Sequence, residues 1–290
     1  SKGIPHILEH SVLCGSRKFP VKEPFVELVK GSLNTFLNAF TFPDKTMYPV
    51  ASVNDKDFTN LMDVYLDAVF YPNIYKYPEI MMQEGWHYEL DNKDDDITYK
   101  GVVYNEMKGA FSSPESILFR KISESLYPGT QYSVESGGDP DVIPQLTNDE
   151  FLAFHSKYYH PANSYIYLYG NMDIEEKLKF LDEKYLSEFN TISVDSSLRE
   201  AVPFKSQKEI EMSYPISSSE KEQDKTFLSL NFAVGKATDA ELYLAFDVLE
   251  YLLLETPSSP LKKALIDAGI GKDVFGSFEA GMLQPMFSII

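Results

Sequence analysis

Two stretches of the chain repeat apolar residues with the period of an α-helix. In residues 58–69 the apolar positions recur at intervals of three and four, after an Asp/Asn-rich segment and before Pro72. Residues 242–253 repeat this arrangement and are followed by Pro257. This spacing gathers apolar side chains on one helical face, and proline ends such a run. We therefore predict an amphipathic helix in each stretch.

Strand-like segments precede both helices. Residues 226–234 stand before the second helix, and residues 46–50 before the first. Residues 33–42 form another strand candidate, and the Pro-Asp-Lys segment 43–45 that follows is typical of a turn. We predict that this turn joins 33–42 to 46–50 as a hairpin. The shared strand-then-helix order suggests that the second part of the chain repeats the first in outline.

Three further elements are predicted from local pattern. Residues 97–110 and 151–159 are expected to be helices. Residues 163–170 alternate aromatic with other side chains, which favours a strand. Together these elements indicate the α+β class.

A long polar stretch, residues 187–225, separates the two parts. We place a domain boundary within residues 190–205. The predicted domains are 1–195, which carries the candidate chemistry described below, and 196–290, the start of a second and related α+β domain.

The charge of the chain restricts its partners. There are 26 Lys and Arg against 44 Asp and Glu, a formal net charge of −18. Nucleic acid is not an expected partner, because binding to the phosphate backbone needs clustered basic residues. An acidic surface would attract basic peptides, or would serve only to keep the protein soluble.

Three other features bear on the setting of the protein. Cys14 is the only cysteine, which fits a reducing, intracellular compartment. The most apolar stretch, 248–254, is interrupted by Glu250 and is shorter than the roughly 18–20 residues that cross a bilayer. We therefore expect no membrane insertion. Because the chain begins at Ser1 without Met and closes on the apolar run 286–290, we expect a fragment of a longer protein.

One short motif carries recognisable metal chemistry. His6 and His10 are four residues apart, so on a helix they share one face and can hold one metal ion. Neutral imidazoles suit zinc. Glu9 lies beside that face, where its carboxylate can act as a general base toward water at the metal. The alternative is a solvated helix with two scattered histidines.

A catalytic zinc takes three protein ligands, so a third must come from elsewhere. Glu106 is the candidate, since apolar residues flank it and a charge among them is costly unless it is paired or ligated. If Glu106 is not the ligand, Glu84 and Glu89 are the next carboxylates to consider. A structural zinc site is disfavoured because such sites are rich in cysteine.

The remaining histidines and the cysteine are given structural roles. His87, His155 and His160 stand beside aromatic residues and lack a partner at ligand spacing. Cys14 follows His10 by four residues and is expected one turn further along the same helix, as a small buried residue or as a redox-sensitive thiol.

At this point the sequence resembles a known family. The His-x-x-Glu-His motif is the signature of the inverzincin peptidases. Its surroundings look like the pitrilysin and insulin-degrading zinc metallopeptidases, most of all their presequence protease and falcilysin branch. The resembling segments occur in family order and are 3–15, 33–41, 83–86, 101–109, 136–140, 159–163 and 256–261.

The resemblance assigns roles to individual residues. His6, His10 and Glu106 match the family's zinc ligands, and Glu9 matches its general base. It implies a zinc-dependent endopeptidase. The alternative is a catalytically silent scaffold or processing-partner subunit of the same fold.

The resemblance also implies how a substrate would bind. Asn38, Ala39 and Phe40 match the positions where the family lays a peptide along an edge strand. The expected substrates are unfolded peptides, such as cleaved targeting sequences, in the mitochondrial matrix, a plastid or the bacterial cytoplasm.

The family's architecture implies the arrangement of the whole protein. Its members close two halves around a chamber, like a clamshell. Each half contains two related α/β-sandwich-like domains, with mostly antiparallel sheets and helices packed on one side. This chain would be the metal-bearing half, without its first strand, and its partner would be the missing C-terminal half of the same protein.

Overall fold

The computed structural model describes residues 1–21, 28 and 30–290. Helices and short antiparallel strands follow one another along the chain, so the predicted α+β class is confirmed. The chain forms two compact units, residues 1–111 with 135–197 and residues 112–134 with 198–290. The predicted domains, 1–195 and 196–290, stay a prediction.

The first unit carries six of the α-helices that the structure describes, and the helix over residues 114–126 belongs to the second unit. In chain order, the helices and strands described between residues 4 and 184 are α1 Ile4–Val12, β1 Asn34–Leu37, β2 Phe40–Thr41, β3 Thr46–Met47, β4 Val50–Ser52, α2 Asp55–Phe70, α3 Glu79–Glu84, β5 His87–Glu89, β6 Thr98–Lys100, α4 Val102–Ala110, α5 Pro114–Leu126 (second unit), α6 Asn148–Tyr158 and α7 Ile174–Lys184.

Helix α1 packs into the first unit through a buried face that is mostly apolar. Pro5 occupies its first turn, where a missing N–H costs nothing. Ile7 and Leu8 are fully buried in a cluster with Val103 of α4 and Phe151 of α6. This burial fixes α1 against the helices around it.

The predicted hairpin is confirmed, with an interruption. Strand β2 pairs with β3 in antiparallel register, and β1 pairs with β4. Asn38 and Ala39 separate β1 from β2, and Tyr48 and Pro49 separate β3 from β4. Proline lacks an N–H for the ladder, so the return strand breaks at that point.

One local prediction is wrong at its start, and another is wrong throughout. The helix expected over 97–110 begins as strand β6 and becomes helical only after Gly101, whose φ is +156°. Added side-chain atoms at Gly101 would collide with the backbone of Gly85, so this close approach requires glycine and ends the strand. Residues 163–170 pair with no strand in the described part of the chain, and Tyr165, Tyr167 and Tyr169 are exposed. Aromatic alternation alone therefore does not make a strand without a neighbour to bond to.

The second unit contains a three-stranded antiparallel sheet. Its remaining elements are β7 Leu230–Ala233, α8 Ala240–Glu250, a π-helical turn Tyr251–Glu255, α9 Pro260–Asp267, β8 Gly276–Glu279 and β9 Met286–Ile289, with strand order β7-β9-β8. Strand β7 and helix α8 confirm the strand and helix predicted there. Asp239 caps α8 by accepting from the N–H of Leu242. No helix within the described residues is long and apolar enough to cross a membrane.

Candidate metal centre

Helix α1 presents two imidazoles on one side. The ring centroids of His6 and His10 are 5.0 Å apart. His6 is buried, and its Nδ1 lies 3.1 Å from the carbonyl oxygen of Gly137. A carbonyl can only accept, so Nδ1 carries the proton and Nε2 of His6 keeps its lone pair for a metal.

The carboxylate of Glu106 meets both rings. Its Oε2 is 3.6 Å from Nε2 of His6 and 3.8 Å from Nε2 of His10. One donor atom from each of the three residues lies within 4.8 Å of the others. The Glu106 side chain is 54% exposed, so the expectation that it sits among apolar neighbours is wrong: helix α4 turns it toward an open cavity and buries Met107 instead.

These three groups fit a zinc ion. Two imidazole nitrogens and one carboxylate oxygen are common zinc donors, bound at about 2.0–2.2 Å. A tetrahedral ion with such bonds separates its donor atoms by about 3.3 Å. The separations from Glu106 to the two histidines exceed this only slightly, and the two histidines offer donor atoms within 4.8 Å of each other. Side-chain adjustments would bring the three donors to bonding distance.

Glu9 faces the same cavity as the three donors. The cavity has a volume of about 300 Å³ and is open to solvent on one side. Its lining consists of His6, Glu9, His10, Ala39, Phe40, Thr41, Glu106, Glu135, Ser136 and Gly137. A carboxylate is therefore available beside the donors without belonging to their cluster.

Only two of the three predicted substrate-binding residues line the cavity. Ala39 and Phe40 line the cavity, whereas Asn38 does not: its N–H donates to Pro49 at 3.3 Å and its carbonyl accepts from Tyr65 at 3.4 Å. The backbone of Asn38 is thus hydrogen-bonded to Pro49 and to Tyr65 of helix α2.

The backbone beyond Asn38 leaves one edge open. Antiparallel ladders alternate between residues that bond to the partner strand and residues that face away. Since the N–H groups of Asn38 and Phe42 both bond across the hairpin, those of Ala39 and Thr41 face outward. The N–H of Ala39 donates to Oδ1 of Asn38 at 2.9 Å. Among the described residues no strand pairs with that side of β2.

Carboxylates surround His10 and change its pKa. Burial disfavours the charged ring, but contact with Glu84 and the negative charges of Glu9 and Glu106 raise the pKa of His10 overall. For Glu84, burial alone would raise the pKa, yet His10, Gln83 and Cys14 together lower it. Glu84 is therefore ionised at neutral pH although it is almost completely buried.

The alternative carboxylates are not in the donor cluster. Glu84 Oε2 contacts Nδ1 of His10, on the side of the ring away from Glu106. Glu89 lies 3.2 Å from Nε2 of His87 and 3.6 Å from Nζ of Lys100. Neither contributes to the three-residue group found in the described part of the chain.

The other histidines have protein partners that suit structural roles. His155 is buried between Tyr75 and the carbonyl of Val69, and burial lowers its pKa to about 4. Nδ1 of His87 contacts the carbonyl of Met82. Nδ1 of His160 accepts from the N–H of Ala162.

Cys14 lies beyond the end of α1, in the turn that follows Val12, rather than on a continuing helix. Its Sγ is 3.6 Å from the carbonyl oxygen of His10 and 3.5 Å from Oε1 of Glu84. The thiol is therefore part of the surroundings of His10.

Sequence reasoning missed the support for His6. Gly137 and Gly138 press against Gly3 so closely that a side chain on Gly138 would lie 2.8 Å from Gly3 Cα. Gly3 and Gly138 both have positive φ, +66° and +104°. Paired glycines in 136–138 were the available signal, since such positions permit close backbone approach.

A tyrosine pair near Glu9 was missed as well. The hydroxyls of Tyr48 and Tyr159 are 3.0 Å apart. Burial is the main cause that raises the pKa of both, to about 12 for Tyr159, and the charge of Glu9 adds to it. Both hydroxyls therefore remain protonated at neutral pH.

Comparison with known sequences identifies the family. Residues 1–136 match the domain described as "Insulinase (Peptidase family M16)" and residues 145–290 the domain described as "Peptidase M16 inactive domain". The chain belongs to peptidase family M16. Its relatives place it in the presequence protease branch of M16.

Two curated M16 relatives cover the whole chain. Protein HypA of Clostridium perfringens is 63% identical over 290 residues, which span 30% of that protein. Presequence protease 1, chloroplastic/mitochondrial, of Arabidopsis thaliana is 50% identical over 293 residues, or 27% of its length. The chain thus spans less than a third of either relative.

A solved structure supports the M16 fold. A protease from Helicobacter pylori superposes with a TM-score of 0.69 over 99% of this chain and 64% of its own, at 19% identity. At that identity the likeness concerns the fold alone.

Proposed function

We propose that the protein is a zinc-dependent endopeptidase that hydrolyses unfolded peptides. The observation that carries this proposal is the convergence of His6, His10 and Glu106, whose donor atoms lie within 4.8 Å of one another in a cavity that also contains Glu9. Membership of family M16 supports the same chemistry.

The metal would be held by Nε2 of His6, Nε2 of His10 and a carboxylate oxygen of Glu106. Bound there, zinc would act as a Lewis acid that polarises the scissile carbonyl and makes water nucleophilic at neutral pH. Three protein donors leave a coordination position for this chemistry, unlike a closed structural site.

Glu9 would move the proton. Its carboxylate accepts a proton as water attacks the peptide carbonyl and returns it to the departing amine. No side chain forms a covalent bond to the substrate in this scheme. The nearby hydroxyls of Tyr48 and Tyr159 stay protonated, so they do not compete with Glu9 as bases.

The open edge of β2 would hold the substrate. A peptide laid beside Ala39, Phe40 and Thr41 would extend the hairpin through main-chain hydrogen bonds, which bind extended chains with little regard to sequence. The backbone of Asn38 bonds elsewhere, and its Oδ1 accepts from the N–H of Ala39, so a peptide that pairs with Ala39 would replace that bond. The net charge of −18 favours basic peptides.

The whole protein and its setting are part of the proposal. Because the chain spans 30% of HypA and 27% of the Arabidopsis relative, we propose that a further part of a longer protein completes the substrate chamber. The Arabidopsis protein is named as chloroplastic and mitochondrial. An intracellular setting, in the mitochondrial matrix, a plastid or the bacterial cytoplasm, remains a prediction for this chain.

The test is cleavage of a long, unstructured, basic peptide by the purified protein, with and without a zinc chelator, followed by mass spectrometry. We expect cleavage at several sites that stops with chelator and returns with added zinc. If the protein binds zinc but leaves the peptide intact, the scaffold alternative replaces this proposal.

A further inference from the structure

Glu84 occupies a position that helix stability does not explain. It is the last residue of the six-residue helix α3 and is 7% exposed. Carbonyl groups gather at a helix C-terminus, so a carboxylate there is electrostatically unfavourable. A buried carboxylate also needs partners to offset the loss of water.

The two oxygens of Glu84 have separate partners. Oε1 accepts from Nε2 of Gln83 at 2.8 Å and lies 3.5 Å from Sγ of Cys14. Oε2 is turned to Nδ1 of His10, 3.4 Å away. The contacts to Oε1 hold the carboxylate in the orientation that directs Oε2 at the ring.

The backbone brings Glu84 to this place through a close approach of two helices. Gly85 follows α3, and an added Cβ there would lie 2.8 Å from the carbonyl of Met81 and 3.2 Å from Ile7 of α1. Glycine therefore lets the end of α3 rest on α1, one helical turn from His10.

His6 provides an internal comparison. Its Nδ1 contacts the carbonyl of Gly137, and its Nε2 points at Glu106. His10 repeats this arrangement with a different acceptor, since Nδ1 faces Glu84 and Nε2 faces Glu106. An acceptor at Nδ1 fixes the imidazole tautomer that keeps the Nε2 lone pair for a metal.

We propose that Glu84 is a positioning residue for the metal centre, which fixes the tautomer and the ring orientation of His10 through Nδ1. This inference rests on the proposed zinc site. Glu84 does not bind the metal in this scheme, and it acts only through His10.

The experiment measures zinc affinity by competition with a chromophoric chelator, for the wild type, Glu84→Leu and Glu84→Gln. The visible spectrum of the cobalt-substituted protein reports the geometry of the site. Glu79→Leu and Glu79→Gln are the matched controls, because Glu79 is exposed on the same helix. Urea unfolding of the metal-free proteins reports any purely structural effect.

We expect Glu84→Leu to weaken zinc binding by about 10- to 100-fold and to change the cobalt spectrum. Glu84→Gln retains an acceptor oxygen and should lose less affinity, and it decides the matter if the Leu variant does not fold. Both Glu79 variants should bind as the wild type does.

Two results would overturn the inference in different ways. If Glu84→Leu unfolds more easily without metal but keeps its zinc affinity and cobalt spectrum, Glu84 is merely structural. If the wild type itself binds no zinc, the proposed function fails, and the role of Glu84 fails with it.

Discussion

Substituting alanine at Gly138 should damage the first unit far more than the same change at Gly170. Both glycines have positive φ, +104° and +132°, so alanine is strained at either one. A Cβ at Gly138 would also lie 2.8 Å from Gly3 Cα and 2.9 Å from Ile143, whereas at Gly170 it meets only Met172, at 3.7 Å. The pair thus separates backbone strain from steric collision.

The magnitudes follow from these two terms. Positive φ costs a non-glycine residue about 1–2 kcal/mol. Overpacking at a tight site adds about 1–3 kcal/mol, and only Gly138 has that term. We therefore expect Gly138→Ala to destabilise the unit by roughly 2–5 kcal/mol and Gly170→Ala by roughly 1–2 kcal/mol.

The single tryptophan makes the assay specific to this unit. Trp86 packs on the core around α1 and donates to the carbonyl of Leu146 at 3.0 Å. Urea unfolding followed by Trp86 fluorescence should show a much lower midpoint for Gly138→Ala than for Gly170→Ala. Equal midpoints for the two variants would refute the argument that close packing of this loop holds the Gly137 carbonyl against His6.

Three other changes test the site and its surroundings. Glu9→Gln should retain zinc but lose about 10²- to 10⁴-fold in peptide turnover, because an amide cannot accept the proton; undiminished turnover would exclude Glu9 as the base. Glu106→Gln should weaken zinc binding in a chelator competition, while Glu135→Gln, in the same cavity but outside the donor cluster, should not; equal losses would count against Glu106 as a ligand. Burial lowers the pKa of His155 from 6.5 to about 4. Between these two pH values the imidazole is protonated in the unfolded chain but not in the folded one. The free energy of unfolding therefore decreases as pH falls from 6.5 toward 4. This loss amounts to roughly 3 kcal/mol. In urea titrations of the metal-free protein, His155→Gln should flatten that pH dependence, and an unchanged slope would contradict it.

The spacing of apolar residues was a sound guide to two of the helices. Residues 58–69 and 242–253 were predicted as helices from apolar spacing, and α2 and α8 lie there. The strand predicted over 163–170 was wrong because a strand needs a bonding neighbour, which local pattern cannot supply.

For the site, spacing placed His6 and His10 on one helical face, and resemblance pointed to Glu106. The reason given from the residues for Glu106, burial among apolar neighbours, was wrong, since its side chain is more than half exposed. Gly137 could not be predicted as a partner of His6, because its contribution is a backbone carbonyl positioned by tertiary packing.

X-ray absorption at the zinc edge of the zinc-loaded protein tests the proposed metal centre most directly. We predict one zinc per chain, with two imidazole nitrogens and carboxylate or water oxygens at about 2.0–2.2 Å. Loss of one imidazole from the spectrum of His10→Ala would agree with this. A sulfur neighbour at about 2.3 Å, which only Cys14 or a methionine could provide, or an all-oxygen shell, would contradict it.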